Sequence, residues 1–295
     1  MTPRTGLWQL AKAAAGAFVQ DRATSMGAAL AYYTAFSIVP LLVIVIGVAG
    51  LAFGRDAAQA AVVDQLRGLI GATGTAAIKD MLARSSEIGT GLLTTLVGAA
   101  VLLVGATTAF AELQDDLDRI WKCEPRAGSG ILNLVRSRLL SFGMVLSIGF
   151  LLTVSLVLSA VVSALGPVLF ADMVVMLRAL NFALSLAVIT VLFAMIYKIL
   201  PNAHIAWQDV WVGAAITALL FAAGKELIGL YIGKTAVASS FGAAGPFVII
   251  MLWIYYSTQI FLLGAEFTCA YAHRYDPVPP DRGGAVPAPG ARTAE

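Results

Sequence analysis

Two cysteines and two histidines in 295 residues leave little from which to build a transition-metal site, because protein zinc sites take about three or four ligands. A disulfide scaffold is excluded on the same count. Charge is also scarce: Asp, Glu, Lys and Arg make up 12% of the chain, against about 25% in soluble domains. The signs nearly balance, 19 Lys and Arg against 17 Asp and Glu, so composition implies no polybasic face and no nucleic-acid partner. Apolar residues fill the space, 59% of the total, with a mean hydropathy of +0.87. That exceeds what an interior could absorb, so the chain must meet lipid. The expected partner is the bilayer, with no cofactor and no metal.

A helix that crosses a bilayer needs about 20 mostly apolar residues. Six stretches qualify: residues 27–53, 91–111, 139–165, 174–197, 210–232 and 243–269. The fold class expected is all-α, a polytopic membrane protein of six transmembrane helices plus amphipathic interfacial helices. Residues 1–26 form an N-terminal amphipathic cytoplasmic segment, with Leu7, Leu10, Ala11, Ala14 and Phe18 at helical spacing and Trp8 at headgroup depth. The membrane domain covers 27–271. It includes an amphipathic outer loop at 54–88, expected as two short helices broken near Gly71 and Gly74, and a cytoplasmic loop at 112–138. The Pro-, Gly- and Ala-rich stretch 272–295 reads as a disordered cytoplasmic tail.

Basic residues set the expected orientation. Of the 19 Lys and Arg, twelve fall in segments on the side of the termini and seven on the other side. The positive-inside rule then places both termini in the cytoplasm.

Charged side chains near a bilayer centre cost about 2.5–3.5 kcal/mol on insertion scales, so polar groups inside spans are the best site candidates. In the last span Tyr256, Gln259 and Glu266 recur along one helical side, with Trp253 one turn earlier. Two readings are open: a polar solute path ending in a carboxylate at the inner mouth, or a polar helix contact with Glu266 near a helix end. Glu266 cannot reach Lys225. At about 1.5 Å per residue, Lys225 lies roughly 20 Å or more from the inner boundary and Glu266 about 5 Å. Depth matches Glu266 instead to Lys198, Arg22 or the Arg136/Arg138 pair, and Lys225 snorkels outward. In the first span Tyr33, Ser37 and Pro40 share a face, and Pro40 predicts a kink near 36–40. Such kinks border substrate sites in some transporters and only neighbouring helices elsewhere.

Small residues recur at helix-face spacing: Ser155, Ser159 and Ser163; Ala214, Ala218 and Ala222; Gly98 and Gly105. They permit close helix packing within one chain or between copies. Asp115, Asp116 and Asp118 with Glu112 and Glu124 could chelate magnesium, but Arg119, Lys122 and Arg126 interleave them, and a solvated, self-compensating loop is the expected reading.

Three strings carry a resemblance. The first runs Ser25-Met26-Gly27-Ala28-Ala29-Leu30-Ala31-Tyr32-Tyr33-Thr34-Ala35-Phe36-Ser37-Ile38-Val39-Pro40. The second is Ile196-Tyr197-Lys198-Ile199-Leu200-Pro201-Asn202 with Trp207 and Gly213-Ala214 following. The third is Leu252-Trp253-Ile254-Tyr255-Tyr256, continuing to Leu262-Leu263-Gly264-Ala265-Glu266. In this order the chain resembles the YihY/BrkB family of bacterial inner-membrane proteins, formerly named ribonuclease BN and including a virulence factor. It departs from that family's pattern at Phe241-Gly242, where Tyr-Gly is expected, and at Asp118-Arg119, where Asn commonly precedes the Ile-Trp pair. The resemblance implies six spans with cytoplasmic termini and no catalytic residues.

Function divides three ways. A transporter or flippase for an amphipathic, lipid-like or small-molecule solute would use a path through Tyr33, Ser37, Pro40, Tyr256, Gln259 and Glu266. A polar cavity bounded by Tyr33, Ser37, Tyr256 and Gln259 would favour it. A non-transporting scaffold or envelope assembly factor would show a closed apolar bundle there. Ribonuclease chemistry lacks its parts, a metal cluster or acid/base pair in a wet site with basic RNA contacts, and the chain reads as a non-enzyme. Oligomeric state does not follow from the sequence.

Overall fold

The computed structural model describes residues 6–87, 92–123, 174–203, 205–235 and 240–273. Those residues form helices and no strands: α1 (Leu7–Gln20), α2 (Ala23–Phe53), α3 (Arg55–Glu87), α4 (Leu92–Ile120), α5 (Val174–Ile199), α6 (Trp207–Lys234), a 3-10 turn (Gly242–Ala244) and α7 (Gly245–Ala272). Four stretches are long and apolar enough to cross a membrane: Ala23–Leu51, Phe182–Ile199, Trp207–Lys234 and Gly242–Ala272. They coincide with four of the six expected spans. The second expected span, 91–111, occupies the first part of α4. The third, 139–165, lies outside the described residues, as do its serine stripe, Arg136 and Arg138, and nearly all of the 272–295 tail.

α7 is the hub, packing against α1, α2, α3 and α6, while α4 packs on α2 and α5 on α6. Two apolar cores lie along the bundle. One, at the end carrying α1 and the 200–206 connection, gathers Met26, Leu117, Ile120, Tyr197, Val210 and Leu262. The other gathers Ala35, Ile46, Ile78, Ile228, Ile250 and Ile254. Outward faces are apolar as well: Val43, Ile44 and Val45 on α2 and Leu219, Leu220 and Leu227 on α6 are all exposed. Water would not tolerate faces of that extent, and lipid does.

α1 lays Leu10 and Ala14 against Phe267 of α7 and leaves Trp8 80% exposed, the arrangement its apolar stripe predicts. Arg22 adopts φ 55°, a left-handed joint that turns the chain from α1 into α2. α2 is one helix with Pro40 in its interior. α3 has a backbone break at Gly71 (φ 72°, ψ −179°), where the Thr75 hydroxyl donates to the Gly71 carbonyl at 2.6 Å. The two helices expected here, broken near Gly71, are thus present, joined at that residue. Ile70, Ala77, Ile78 and Leu82 are buried within the far core, because α3 packs on α2, α6 and α7.

Candidate functional site

The α6–α7 seam is built from the same motif used twice. Gly213-x-x-x-Thr217 on α6 and Gly264-x-x-x-Thr268 on α7 run antiparallel. Gly213 receives the Thr268 side chain and Gly264 receives that of Thr217, so closely that a β-carbon on either glycine would overlap the opposing hydroxyl. Each threonine returns its hydroxyl to its own helix, Thr217 to the Gly213 carbonyl at 2.8 Å and Thr268 to the Gly264 carbonyl at 2.7 Å. Neither threonine hydroxyl faces lipid as a result. Tyr197 of α5 closes the network: its fully buried hydroxyl donates to the Phe261 carbonyl at 2.7 Å and lies 3.1 Å from Thr217 Oγ1.

The α2–α7 seam is also antiparallel, and its register is explicit. Phe36 meets Phe247 with ring centroids 5.2 Å apart, Gly27 lies against the Gln259 amide, and Asp21, at the end of α1, stands beside Glu266. Gly27 has no side chain because the Gln259 amide occupies that space. Both Gln259 amide atoms are buried with no hydrogen-bond partner among the described residues. Glu266 is 2% exposed, and its Oε1 has no hydrogen-bond partner either. The carboxyl group of Asp21 is within hydrogen-bonding reach of Glu266, and Lys122 supplies the opposing charge.

The remaining sequence-predicted residues face other partners. Ser37 is buried against Gly105 of α4, with its hydroxyl donating to the Thr34 carbonyl at 3.1 Å. The Tyr33 carbonyl borders Gly105 too. Tyr256 packs on Gly224 of α6, and Pro40 is half-buried. Tyr33, Ser37, Tyr256 and Gln259 are thus spread over three seams. Each seam is closed by a glycine.

At the α1 end, Asp118 accepts two hydrogen bonds from Asn202, from the backbone N–H at 2.7 Å and from the side-chain Nδ2 at 2.6 Å. They pin the 200–206 connection to α4. Burial raises the Asp118 carboxyl above its usual range, while the Asn202 bonds oppose that rise. Asp116 is 3% exposed with Oδ2 unpartnered. Burial, joined by the Glu112 carboxylate, pushes its carboxyl up to about 7 against the Arg119 guanidinium. The solvated acidic loop expected at 112–124 is therefore wrong for these two residues, because α4 continues to Ile120 and carries them into the lower core. Lys198 is not the partner of Glu266: its ammonium donates to the Ile205 carbonyl and lies 5.6 Å from the centre of the Trp207 ring. Among the described residues no group of three or more His, Cys, Asp or Glu is placed to hold a metal.

On the side of the Phe193–Phe221 ring contact away from the 200–206 connection, α5 and α6 enclose a cavity of about 240 Å³. It is lined by Phe182, Ser185, Leu186, Ile189, Phe221 and Ala222, with Lys225 at one end.

The sequence profile described as Virulence factor BrkB matches residues 14–288. The chain belongs to this family. Its relatives carry the name UPF0761 membrane protein. One, from Pseudomonas aeruginosa (strain LESB58), is 29% identical over 269 residues, covering 88% of this chain and 62% of the relative. One from Tolumonas auensis is 33% identical over 184 residues, 59% of this chain and 57% of its own. One from Pseudoalteromonas translucida is 28% identical over 257 residues, 85% and 81% respectively. This BrkB-family chain thus spans about three fifths of the length of the Pseudomonas relative. No solved structure matches it.

The strings that carry the resemblance turn out to be seam residues of the BrkB-family protein. Gly27, Gly213 and Gly264 are close-approach points, Tyr197 bonds across α5, α6 and α7, and Asn202 clamps Asp118. Sequence reasoning singled out neither the paired Gly-x-x-x-Thr motifs nor the Asp118–Asn202 clamp. The first was legible as two matching five-residue strings. The second joins residues 84 positions apart, and nothing local announces it.

Proposed function

We propose that this protein is a six-span bacterial inner-membrane protein with cytoplasmic termini, and that it moves an amphipathic, lipid-like solute along the α2–α7 seam without reacting with it. The structure is then the closed form. The carrying observation is Gln259, an amide in the middle of α7 with both polar atoms lacking a partner among the described residues. A seam meant to stay shut would do better with leucine, since a buried unsatisfied polar group costs about 1–3 kcal/mol. If the seam opens, Gln259 meets solute or water midway, and the Glu266–Asp21 pair forms the cytoplasmic mouth.

A second reading, a non-transporting scaffold, is favoured by the interlocked Gly-x-x-x-Thr seam and by the spread of Tyr33, Ser37, Tyr256 and Gln259 over three seams. One variant separates the two. Gln259→Leu should raise the melting temperature of the purified protein and abolish translocation of a fluorescent phosphatidylglycerol in reconstituted vesicles. A variant that is stabilised yet translocates at the wild-type rate removes Gln259 from the path. A wild-type protein that folds and translocates nothing leaves the scaffold.

A further inference from the structure

The end of the bundle that carries the 200–206 connection presents a separate chemistry. Two stretches fit to cross a membrane meet there, Phe182–Ile199 with Lys198 next to its end and Trp207–Lys234 with Trp207 as its first residue. Lys198 therefore stands at the edge of the apolar band, where a lysine ammonium reaches headgroups. Trp211 follows Trp207 by one turn, with ring centroids 6.5 Å apart, and the two side chains are 50% and 45% exposed in the order of the chain. Indole rings favour this same boundary.

Lys198 is held in place by two uncharged partners, the Ile205 carbonyl, to which its ammonium donates, and the Trp207 ring, 5.6 Å away at its centre. Its charge is thus positioned and not neutralised: among the described residues no carboxylate lies within ion-pair distance of it. An ammonium has three N–H donors, and the carbonyl takes one. The frame around it is fixed as well. Leu200 and Ile205 are buried, the Asp118–Asn202 bonds pin the connection to α4, and Tyr197, one residue before Lys198, bonds to the Phe261 carbonyl of α7. A cation ordered in advance forfeits less side-chain freedom when a ligand arrives. Asp209, the acid in the first turn of α6, is about 200° around the helix from Trp207, whereas Trp211 is about 40° away, so the indoles share a side that the acid does not. An anion with an apolar body matches this surface: an oxyanion on the ammonium, oxygens for the indole N–H groups, and hydrocarbon on the exposed Ile199 and Trp211 side chains. A small soluble anion would leave the indoles and Ile199 unused.

We propose that Lys198, Trp207 and Trp211 bind the headgroup of an anionic phospholipid, its phosphate on the ammonium and its acyl chains along the outward faces of α5 and α6. Binding stands whether the protein transports or scaffolds. Only the assignment to the cytoplasmic leaflet rests on the orientation proposed above.

The test is native mass spectrometry of the full chain in neutral detergent, titrated with dioctanoyl phosphatidylglycerol and, separately, dioctanoyl phosphatidylcholine. Lys198→Gln should weaken the phosphatidylglycerol complex about fivefold, the worth of one lysine against an anionic lipid surface, and leave phosphatidylcholine unchanged. Lys198→Arg should retain the preference. Lys12→Gln, which removes an exposed lysine of α1, should leave phosphatidylglycerol binding at the wild-type level. Trp207→Leu combined with Trp211→Leu keeps the charge and an apolar face but removes both indole N–H groups, and should weaken phosphatidylglycerol. Glycerol phosphate alone should not compete. Wild-type phosphatidylglycerol affinity in Lys198→Gln or in the Trp207/Trp211 double variant overturns the proposal. So does an equal loss in Lys12→Gln, which would make the attraction a matter of net charge, and so does displacement of the lipid by glycerol phosphate. Thermal melts identify folded variants, and if Lys198→Gln does not fold, the double variant and the competition decide.

Discussion

Replacing Gly264 by alanine puts a methyl group into the space of the Thr217 hydroxyl. The new β-carbon would stand 2.7 Å from the Tyr197 hydroxyl and 2.8 Å from the Thr217 β-carbon, with Thr217 Oγ1 closer still. Either α6 and α7 separate or the Tyr197–Thr217 contact breaks. Overpacking of this kind costs about 1–3 kcal/mol, and the lost hydrogen bond adds about 0.5–1.5 kcal/mol. Gly264→Ala should therefore lose about 2–4 kcal/mol in denaturant unfolding of the detergent-solubilised protein. The internal control is Gly229→Ala or Gly233→Ala on α6, where a β-carbon meets nothing within 4 Å. Those changes should be neutral or stabilise by up to about 1 kcal/mol. Thr217→Ala in the Gly264→Ala background should restore part of the loss, a non-additivity expected of residues in contact. A Gly264→Ala protein as stable as wild type would refute the interlocked seam.

Asp118→Ala removes the acceptor of both Asn202 bonds and should cost about 2–3 kcal/mol. Asp118→Asn should retain part of that, and limited proteolysis at 200–206 should quicken in proportion; unchanged proteolysis and melting would show the clamp to be idle. Asp116 gives a pH signature. Its carboxyl is raised to about 7 in the folded state from an ordinary 3.8, so the folded state holds the proton more tightly. Its contribution to stability is complete below about pH 4 and is lost as pH rises toward 7. Asp116→Asn should flatten the fall in melting temperature between pH 4 and 7, and a slope identical to wild type would contradict the buried placement.

The sequence made the spans legible because a bilayer imposes length and apolarity together. Four apolar runs became four helices fit to cross, and the α1 stripe became the face that packs on Phe267. The site was less legible. Tyr256 and Gln259 lie three residues apart, but their 60° angular difference around α7 sends one to Gly224 of α6 and the other to Gly27 of α2. Periodicity identifies a side of a helix, not which neighbour covers it. Asp116 and Asp118 looked solvated because basic residues interleave them. Only the continuation of α4 to Ile120 shows that these two turn inward while Arg119 turns out. The break at Gly71 was legible, since glycine adopts a positive φ without the β-carbon penalty that other residues incur.

The claim on which the account turns is that the seam holding Gln259 opens to pass an amphipathic solute. The direct measurement is the rate at which fluorescent phosphatidylglycerol crosses vesicles containing the wild-type protein, compared with protein-free vesicles. A rate that rises with protein content and collapses in Gln259→Leu is the predicted result. A rate equal to that of empty vesicles, with the reconstituted protein shown folded by its thermal transition, would contradict it.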